Sequence, residues 1–114
     1  MDNCLFCKIA DKSINANILK ETDDIIAFSD INPQSPVHIL VIPKKHIASL
    51  NDVAGEDCDL LGKINGAIKD LANEKNINAT GFRVVVNCGK DAGQAVDHLH
   101  FHLLGGRKLN WPPG

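Results

Sequence analysis

The chain has 114 residues, 44% of them hydrophobic and 23% charged, with a formal net charge of −2. That length fits one domain, residues 1–114, with surface enough to bury a core and little room for a second. The mildly acidic balance argues against a nucleic-acid binder that grips phosphates through a basic face, and no apolar run nears the roughly 20 residues of a membrane span.

The N-terminal stretch "MDNCLFCKIAD" lacks a charged-then-apolar leader pattern, so a cytoplasmic location is expected. In a reducing compartment Cys4 and Cys7 read as metal ligands or redox thiols rather than as a bridge. Cys58 and Cys88 stand alone and read as small buried apolar residues. Residues 25–28, "IIAF", form a short β-rich run that ends where Asn32-Pro33 and Ser35-Pro36 mark a turn. "VHILVI", residues 37–42, is a strand closed by Pro43. His38, Leu40 and Ile42 share one of its faces, and Val37, Ile39 and Val41 the other. With apolar residues on both faces, both are covered, and His38 is expected away from solvent.

Leu60, Leu61, Ile64, Ala67, Ile68 and Leu71 recur at helical spacing and predict a helix from about Gly55 to Lys75. Glu56, Asp57 and Asp59 suit its positive end and Lys75 the other. Gly62 and Gly66 are read as places of close packing against a sheet. "FRVVVN", residues 82–87, and "HLHFHLL", residues 98–104, predict two more strands. The ten-residue connection between them carries Gly89 and Gly93, and long glycine-bearing loops between strands are often functional. The tail "RKLNWPPG" holds the only tryptophan, and its prolines exclude regular structure. One long helix against a mainly antiparallel sheet makes an α+β domain.

Three of the five histidines fall in "HLHFHLL". Strand alternation would put His98, His100 and His102 on one face, with Cα atoms about 6.5–7 Å apart, and send Leu99, Phe101 and Leu103 into the core. A solvated strand face rarely favours repeated imidazole without a use. At most two of three histidines on a straight strand could bind one metal ion. Nucleophilic attack explains more of the neighbourhood. A neutral imidazole attacks phosphorus through one ring nitrogen when an acceptor holds the other as N–H, and neighbouring imidazoles disfavour one another's protonation. The glycine loop offers backbone N–H groups to anionic oxygens, and Asn87 and Gln94 add neutral amide donors.

"HLHFHLL" resembles the signature of the histidine triad family, specifically its nucleotide-binding-protein branch. The likeness extends through "FSDINPQSPVHILVIPKKH", "FRVVVNCG", "GQAV", "HLLGGR" and the closing "WPPG". It implies a HIT-like fold of about five strands, one long helix and a short N-terminal helix, with the sheet extended across a homodimer. It further implies hydrolysis of purine nucleoside phosphoramidates, with adenosine 5'-phosphoramidate as the model substrate. His100 resembles the nucleophile that forms a covalent nucleotidyl-histidine, with the His98 carbonyl fixing its tautomer and His38 and His102 in support. Asn87, Gly93 and Gln94 match phosphate-side contacts, Asp30 the ribose acceptor, and Leu5, Phe6, Phe28 and Ile31 an apolar purine slot. Ala95 departs from a serine found in several relatives, a loss of about 1 kcal/mol of hydrogen bonding. Trp111 resembles a residue that shapes the partner subunit's leaving-group pocket.

Some bacterial relatives carry a cysteine pair and a histidine matching Cys4, Cys7 and His46, and the resemblance supplies His98 as a fourth ligand, which implies a structural zinc that the chemistry would not require. Three readings compete with phosphoramidate hydrolysis: a nucleotide-binding or regulatory module, a dinucleoside polyphosphate hydrolase, and a zinc-dependent hydrolase using His98 and His102.

Overall fold

A computed structural model describes residues 3–114. In chain order its elements are α1 (Leu5–Ala10), β1 (Ile18–Glu21), β2 (Ile25–Ser29), β3 (Val37–Pro43), α2 (Cys58–Glu74), β4 (Phe82–Val85) and β5 (Phe101–Gly105). Short 3-10 turns lie at Leu50–Asp52 and Gly55–Asp57. The strands form one sheet in the order β1-β2-β3-β5-β4, each neighbouring pair antiparallel. The α+β architecture, with one long and one short helix and five strands, is therefore as expected. β1 is a strand the sequence reading did not pick out, because "ILKE" is short and half polar.

The sheet is covered on both faces, which is why β2 and β3 are nearly all apolar. Ile39 and Val41 of β3 and Leu99, Phe101 and Leu103 pack under α2, against Ile64, Ile68 and Leu71. Leu40 and Ile42 face the other way, with Ile26 and Phe28 of β2, and meet Phe6 and Ile9 of α1. Leu103 is fully buried. Leu103→Ala is expected to cost about 2–5 kcal/mol through lost burial and a residual cavity. Urea unfolding would show this as a lower midpoint at unchanged slope.

Several boundaries differ from expectation, each for a local reason. β5 begins at Phe101 rather than His98, and its last partner on β3 is Val41. Upstream, the Leu99 amide bonds the Ile47 carbonyl at 2.7 Å, and the Pro43 carbonyl meets the His98 ring instead of a ladder amide. β4 ends at Val85, opposite His102, because β5 offers almost no further strand to pair with Val86 and Asn87. α2 starts at Cys58, since residues 55–57 close a 3-10 turn in which the buried Asp57 carboxylate accepts from the Ala54 amide and from Lys45 Nζ. Cys58 is exposed and Cys88 half-buried, so neither is a core residue. Gly62 and Gly66 lie on the solvent side of α2, where an added Cβ would meet nothing within 4 Å, so they serve no close packing. After β5 the chain turns at Gly106, whose φ is +90° and whose Cβ would lie 2.9 Å from Pro36, so this position needs glycine. No helix among the described residues is long and apolar enough to cross a membrane.

Candidate active site

The face of the sheet under α1 gathers the histidines, and the backbone decides where each ring carries its proton. His100 Nδ1 lies 2.7 Å from the His98 carbonyl oxygen. A carbonyl only accepts, so Nδ1 of His100 is the N–H and Nε2 keeps its lone pair. Phe6 packs edge-to-face with this ring, with centroids 5.1 Å apart, and also meets Phe28 at 5.5 Å. The ring is buried, and the Phe6 contact restricts its rotation.

His38 and His102 sit diagonally across the β3–β5 ladder, where His38 opposes Leu104 and His102 opposes Leu40. The Gln34 amide donates to His38 Nδ1 at 3.0 Å, so the His38 proton is on Nε2. That N–H donates to His102 Nδ1 at 2.9 Å, with Asp30 Oδ2 3.4 Å away. His102 therefore carries its own proton on Nε2. That atom is buried and is the one buried side-chain N or O among the described residues with no hydrogen-bond partner. The relay thus ends in an unpaired N–H donor beside His100, whose ring centroid is 5.1 Å from that of His102. Asp30, His38 and His102 bring three possible metal-ligand atoms together. Yet the Gln34 N–H already occupies His38 Nδ1, so Nε2 holds a proton rather than a free lone pair. This trio is better built as a proton relay than as a metal site.

Burial pushes the His38 imidazole below its usual range, opposed by the Asp30 charge. His102 is pushed down to about 4 by burial first and then by His100 and His38, with Asp30 opposing. The unfolded chain takes up this proton near 6.5, the folded chain only near 4. More protons bind the unfolded state between those values, so stability must fall as pH falls from 6.5 to 4, and this group adds no further loss below that. The expected result is a urea midpoint that drops across this window, with a smaller drop in His102→Asn.

A second cluster adjoins the first through His98. Cys4 is the N-cap of α1, and its Sγ accepts from the Cys7 amide at 3.3 Å, which sets both thiols on one side of the helix start. Cys4 Sγ and Cys7 Sγ lie 3.3 and 3.5 Å from His98 Nδ1, and Cys7 Sγ lies 3.3 Å from His46 Nδ1. Ligands of a tetrahedral zinc with these donors stand about 3.3–3.8 Å apart. His98 Nε2 donates to the Pro43 carbonyl at 2.8 Å, leaving Nδ1 as a bare lone pair turned to the thiols. A metal-ligating histidine is commonly held this way, with its other nitrogen on a carbonyl. Burial, then the hydrogen bond and charge of Cys4, push the Cys7 thiol up to about 11. A cation among the four donors would reverse that, since a coordinated thiol is deprotonated outright. The donor set fits a divalent ion of the zinc type.

The remaining expected residues divide. Phe6 and Phe28 are buried beside the histidines, whereas Leu5 is partly exposed and Ile31 is fully exposed on the loop after β2. Asp30 Oδ1 caps its own turn by accepting from the Asn32 amide at 2.8 Å, and Oδ2 faces His38. Gln94 is not a free donor. Its Nε2 bonds the Ala48 and Val96 carbonyls, and its Oε1 accepts from the Gly89 amide, so the side chain ties the loop in which Gly93 turns at φ +80°. Ala95 lines an open cleft with Cys4, Leu5 and His46. Asn87 and Trp111 share a different cleft, of about 450 Å³, beside β4, and Trp111 is 81% exposed. Three residues escaped the sequence reading: Gln34, Pro43 and Arg107, whose Nε bonds the Gln34 carbonyl at 3.1 Å. Gln34 and Pro43 act through their backbone, which no side-chain pattern announces.

Residues 3–109 match the family model described as "Scavenger mRNA decapping enzyme C-term binding". An HIT-like protein of Synechococcus elongatus is 47% identical over 113 residues, covering 99% of this chain and 98% of its own. The crystal structure of an HIT family hydrolase from Legionella pneumophila superposes with a TM-score of 0.97 at 51% identity, covering 98% of this chain and all of the other. The histidine triad nucleotide-binding protein of Candida albicans superposes with a TM-score of 0.80 at 35% identity, covering 96% of this chain and 83% of that one.

Proposed function

Because the chain belongs to the histidine triad (HIT) family, we propose that it is a nucleotide hydrolase acting on purine nucleoside phosphoramidates through His100. The observation that carries this reading is the bond from His100 Nδ1–H to the His98 carbonyl, which leaves Nε2 as a free nucleophile. The lone pair of Nε2 attacks the α-phosphorus, the P–N bond to the amine breaks, and the leaving nitrogen takes a proton from solvent, which the hydrolytic water gives back in the second step. Water then attacks the nucleotidyl-histidine, releasing the nucleoside monophosphate and restoring neutral His100. His102 Nε2–H is the donor for a phosphoryl oxygen or the leaving nitrogen, and the relay from Gln34 through His38 keeps its proton in place. Asp30 accepts from ribose hydroxyls, and Phe6 and Phe28 wall the purine side. The phosphate side relies on the backbone N–H of Ala95, since the Gln94 side-chain amide and the Gly93 and Gln94 backbone N–H groups are engaged within the loop and its neighbours.

The hydrolase name of the Legionella relative and the nucleotide-binding name of the Candida relative support this reading. So does the Trp-Pro-Pro-Gly ending, which favours the phosphoramidase-like branch. The same reading places a zinc ion among Cys4, Cys7, His46 and His98, where a closed four-ligand set cross-links the fold and leaves no open position for substrate. It also places a second copy along β4, an outer strand with Phe82 and Val84 exposed, so that Trp111 reaches the partner's pocket. Four free thiols suit the cytoplasm.

The test follows release of nucleoside monophosphate and amine from adenosine 5'-phosphoramidate, with rapid acid quenching to trap the adduct on His100. Saturable nucleotide binding with neither turnover nor adduct would make the protein a nucleotide-binding module instead.

A further inference from the structure

We propose that Cys4, Cys7 and His46 are positioning residues for the nucleophile, acting through His98 when they hold a metal. This inference rests on the reading of His100 as nucleophile and of the four-donor cluster as a zinc site. His98 belongs to both clusters by different atoms. Its ring faces the thiols through Nδ1 and the Pro43 carbonyl through Nε2, while its own carbonyl oxygen holds His100 Nδ1–H at 2.7 Å. The acceptor that selects the His100 tautomer is therefore the backbone of a metal-ligand residue.

The surrounding backbone gives that acceptor little other support. Residues 98–100 lie outside the sheet, since β5 starts at Phe101, and the Leu99 amide bond to Ile47 is their one backbone–backbone hydrogen bond among the described residues. A second route runs through α1. This six-residue helix has Cys4 as its N-cap and Cys7 in its first turn, and between them stands Phe6, whose ring packs at a steep angle to both His98 and His100, with centroids 6.0 and 5.1 Å apart. A bound ion fixes the His98 carbonyl from one side and the Phe6 ring from the other. Without it, the His98 ring keeps the Pro43 carbonyl and the hydrogen bonds of the two thiols, and α1 keeps its helical bonds and the packing of Phe6 and Ile9, all weaker restraints than four coordinate bonds. The His100 ring is then freer to change tautomer or tilt, which removes the attacking lone pair but leaves the Asp30 and Phe28 contacts in place. Loss of the ion should therefore lower kcat far more than it raises KM.

The experiment uses the whole protein with Cys58→Ser and Cys88→Ser, so that only the clustered thiols respond. Zinc is measured, stripped with a chelator and restored as zinc alone. At each stage kcat, KM, AMP affinity and the ¹⁵N imidazole spectrum are recorded, the last reporting the His100 tautomer directly. The expected result is one zinc per chain. Stripping lowers kcat by about 10- to 100-fold, as losing an orienting partner commonly does, with AMP affinity kept within about threefold. The single Nδ1–H tautomer of His100 gives way to a mixture, and zinc restores both. Should stripping unfold the chain, His98→Ala makes the same comparison, because the other three ligands can still hold zinc while the link to His100 is cut. Unchanged kcat and an unchanged tautomer in folded zinc-free protein, or in zinc-bound His98→Ala, would overturn the inference, as would failure to bind zinc. Absence of turnover in the zinc-loaded protein is a separate result, and it would sink the phosphoramidase reading itself.

Discussion

Replacing His100 by alanine is expected to lower phosphoramidate turnover by roughly 10⁴-fold or more, the scale seen when a nucleophile is removed from a group acting as a unit. The loss should fall on kcat. AMP should still bind, because Asp30, Phe6 and Phe28 are untouched, and the covalent adduct should vanish from acid-quenched samples. The change removes a buried ring that makes one hydrogen bond and packs on Phe6, so some loss of stability accompanies it. His100→Asn separates the two effects: its side-chain N–H can reach for the His98 carbonyl, but it offers no nucleophilic nitrogen. Turnover within about tenfold of the unmodified protein in both variants would show that His100 does not form the adduct.

The magnitude follows from how the ring is prepared. Its nucleophilic nitrogen is Nε2, because the His98 carbonyl holds the proton on Nδ1. The donors facing it are neutral, with His38 and His102 both held below their usual range by burial. A site built from neutral imidazoles and backbone amides can bind an anionic phosphoryl group without a basic patch, which agrees with the net charge of −2. The arrangement also explains why buried imidazoles persist on a sheet face they share with Leu40, Ile42 and Phe28. Each imidazole is either hydrogen-bonded or aimed at the site.

Much of this was readable in the sequence, and the failures have physical causes. The alternation in "HLHFHLL" correctly sent Leu99, Phe101 and Leu103 to the α2 core and the histidines to the other face. It overstated the strand by three residues, because alternation persists where ladder bonding has already stopped. The near-continuous apolar run of β3 correctly implied two covered faces, with His38 buried. The His98 carbonyl was foreseen as the acceptor for His100 and is found in that role. What stayed out of reach were two other backbone functions. The Gln34 amide and the Pro43 carbonyl set the His38 and His98 tautomers, yet almost any residue type could supply those groups. Gln94 shows the reverse error. Its amide looks like a ligand donor in the sequence, but backbone groups of Gly89 and Val96 in its own loop, and of Ala48 after β3, had already claimed it. Side-chain chemistry is written in residue types, whereas its spending is decided by what the chain brings within 3 Å.

Zinc should make the protein's stability depend on metal concentration, and this is the second large effect expected. An ion that binds the folded chain alone adds about 4 kcal/mol when its free concentration is a thousandfold above Kd. The urea midpoint of the unmodified protein should therefore climb with added zinc and fall with a chelator. In Cys4→Ala/Cys7→Ala it should sit low and ignore both, because two of four donors are gone and His98 Nδ1 faces an empty space. Acid should shrink the zinc increment, since binding displaces protons from the thiols and burial already raises the Cys7 thiol to about 11 before any metal arrives. Cys58→Ser is the control, as that thiol is exposed at the start of α2 and stands outside the cluster. A midpoint that does not move with zinc in the unmodified protein would leave the four donors as a hydrogen-bonded set only, with the two thiols protonated and donating toward His98 and His46. The donor chemistry suits a metal, because two thiols and two imidazoles from four chain positions converge, with three contacts of 3.3 to 3.5 Å and all four ligand atoms within 4.8 Å of one another. Van der Waals packing alone gives no reason to hold four such donors together.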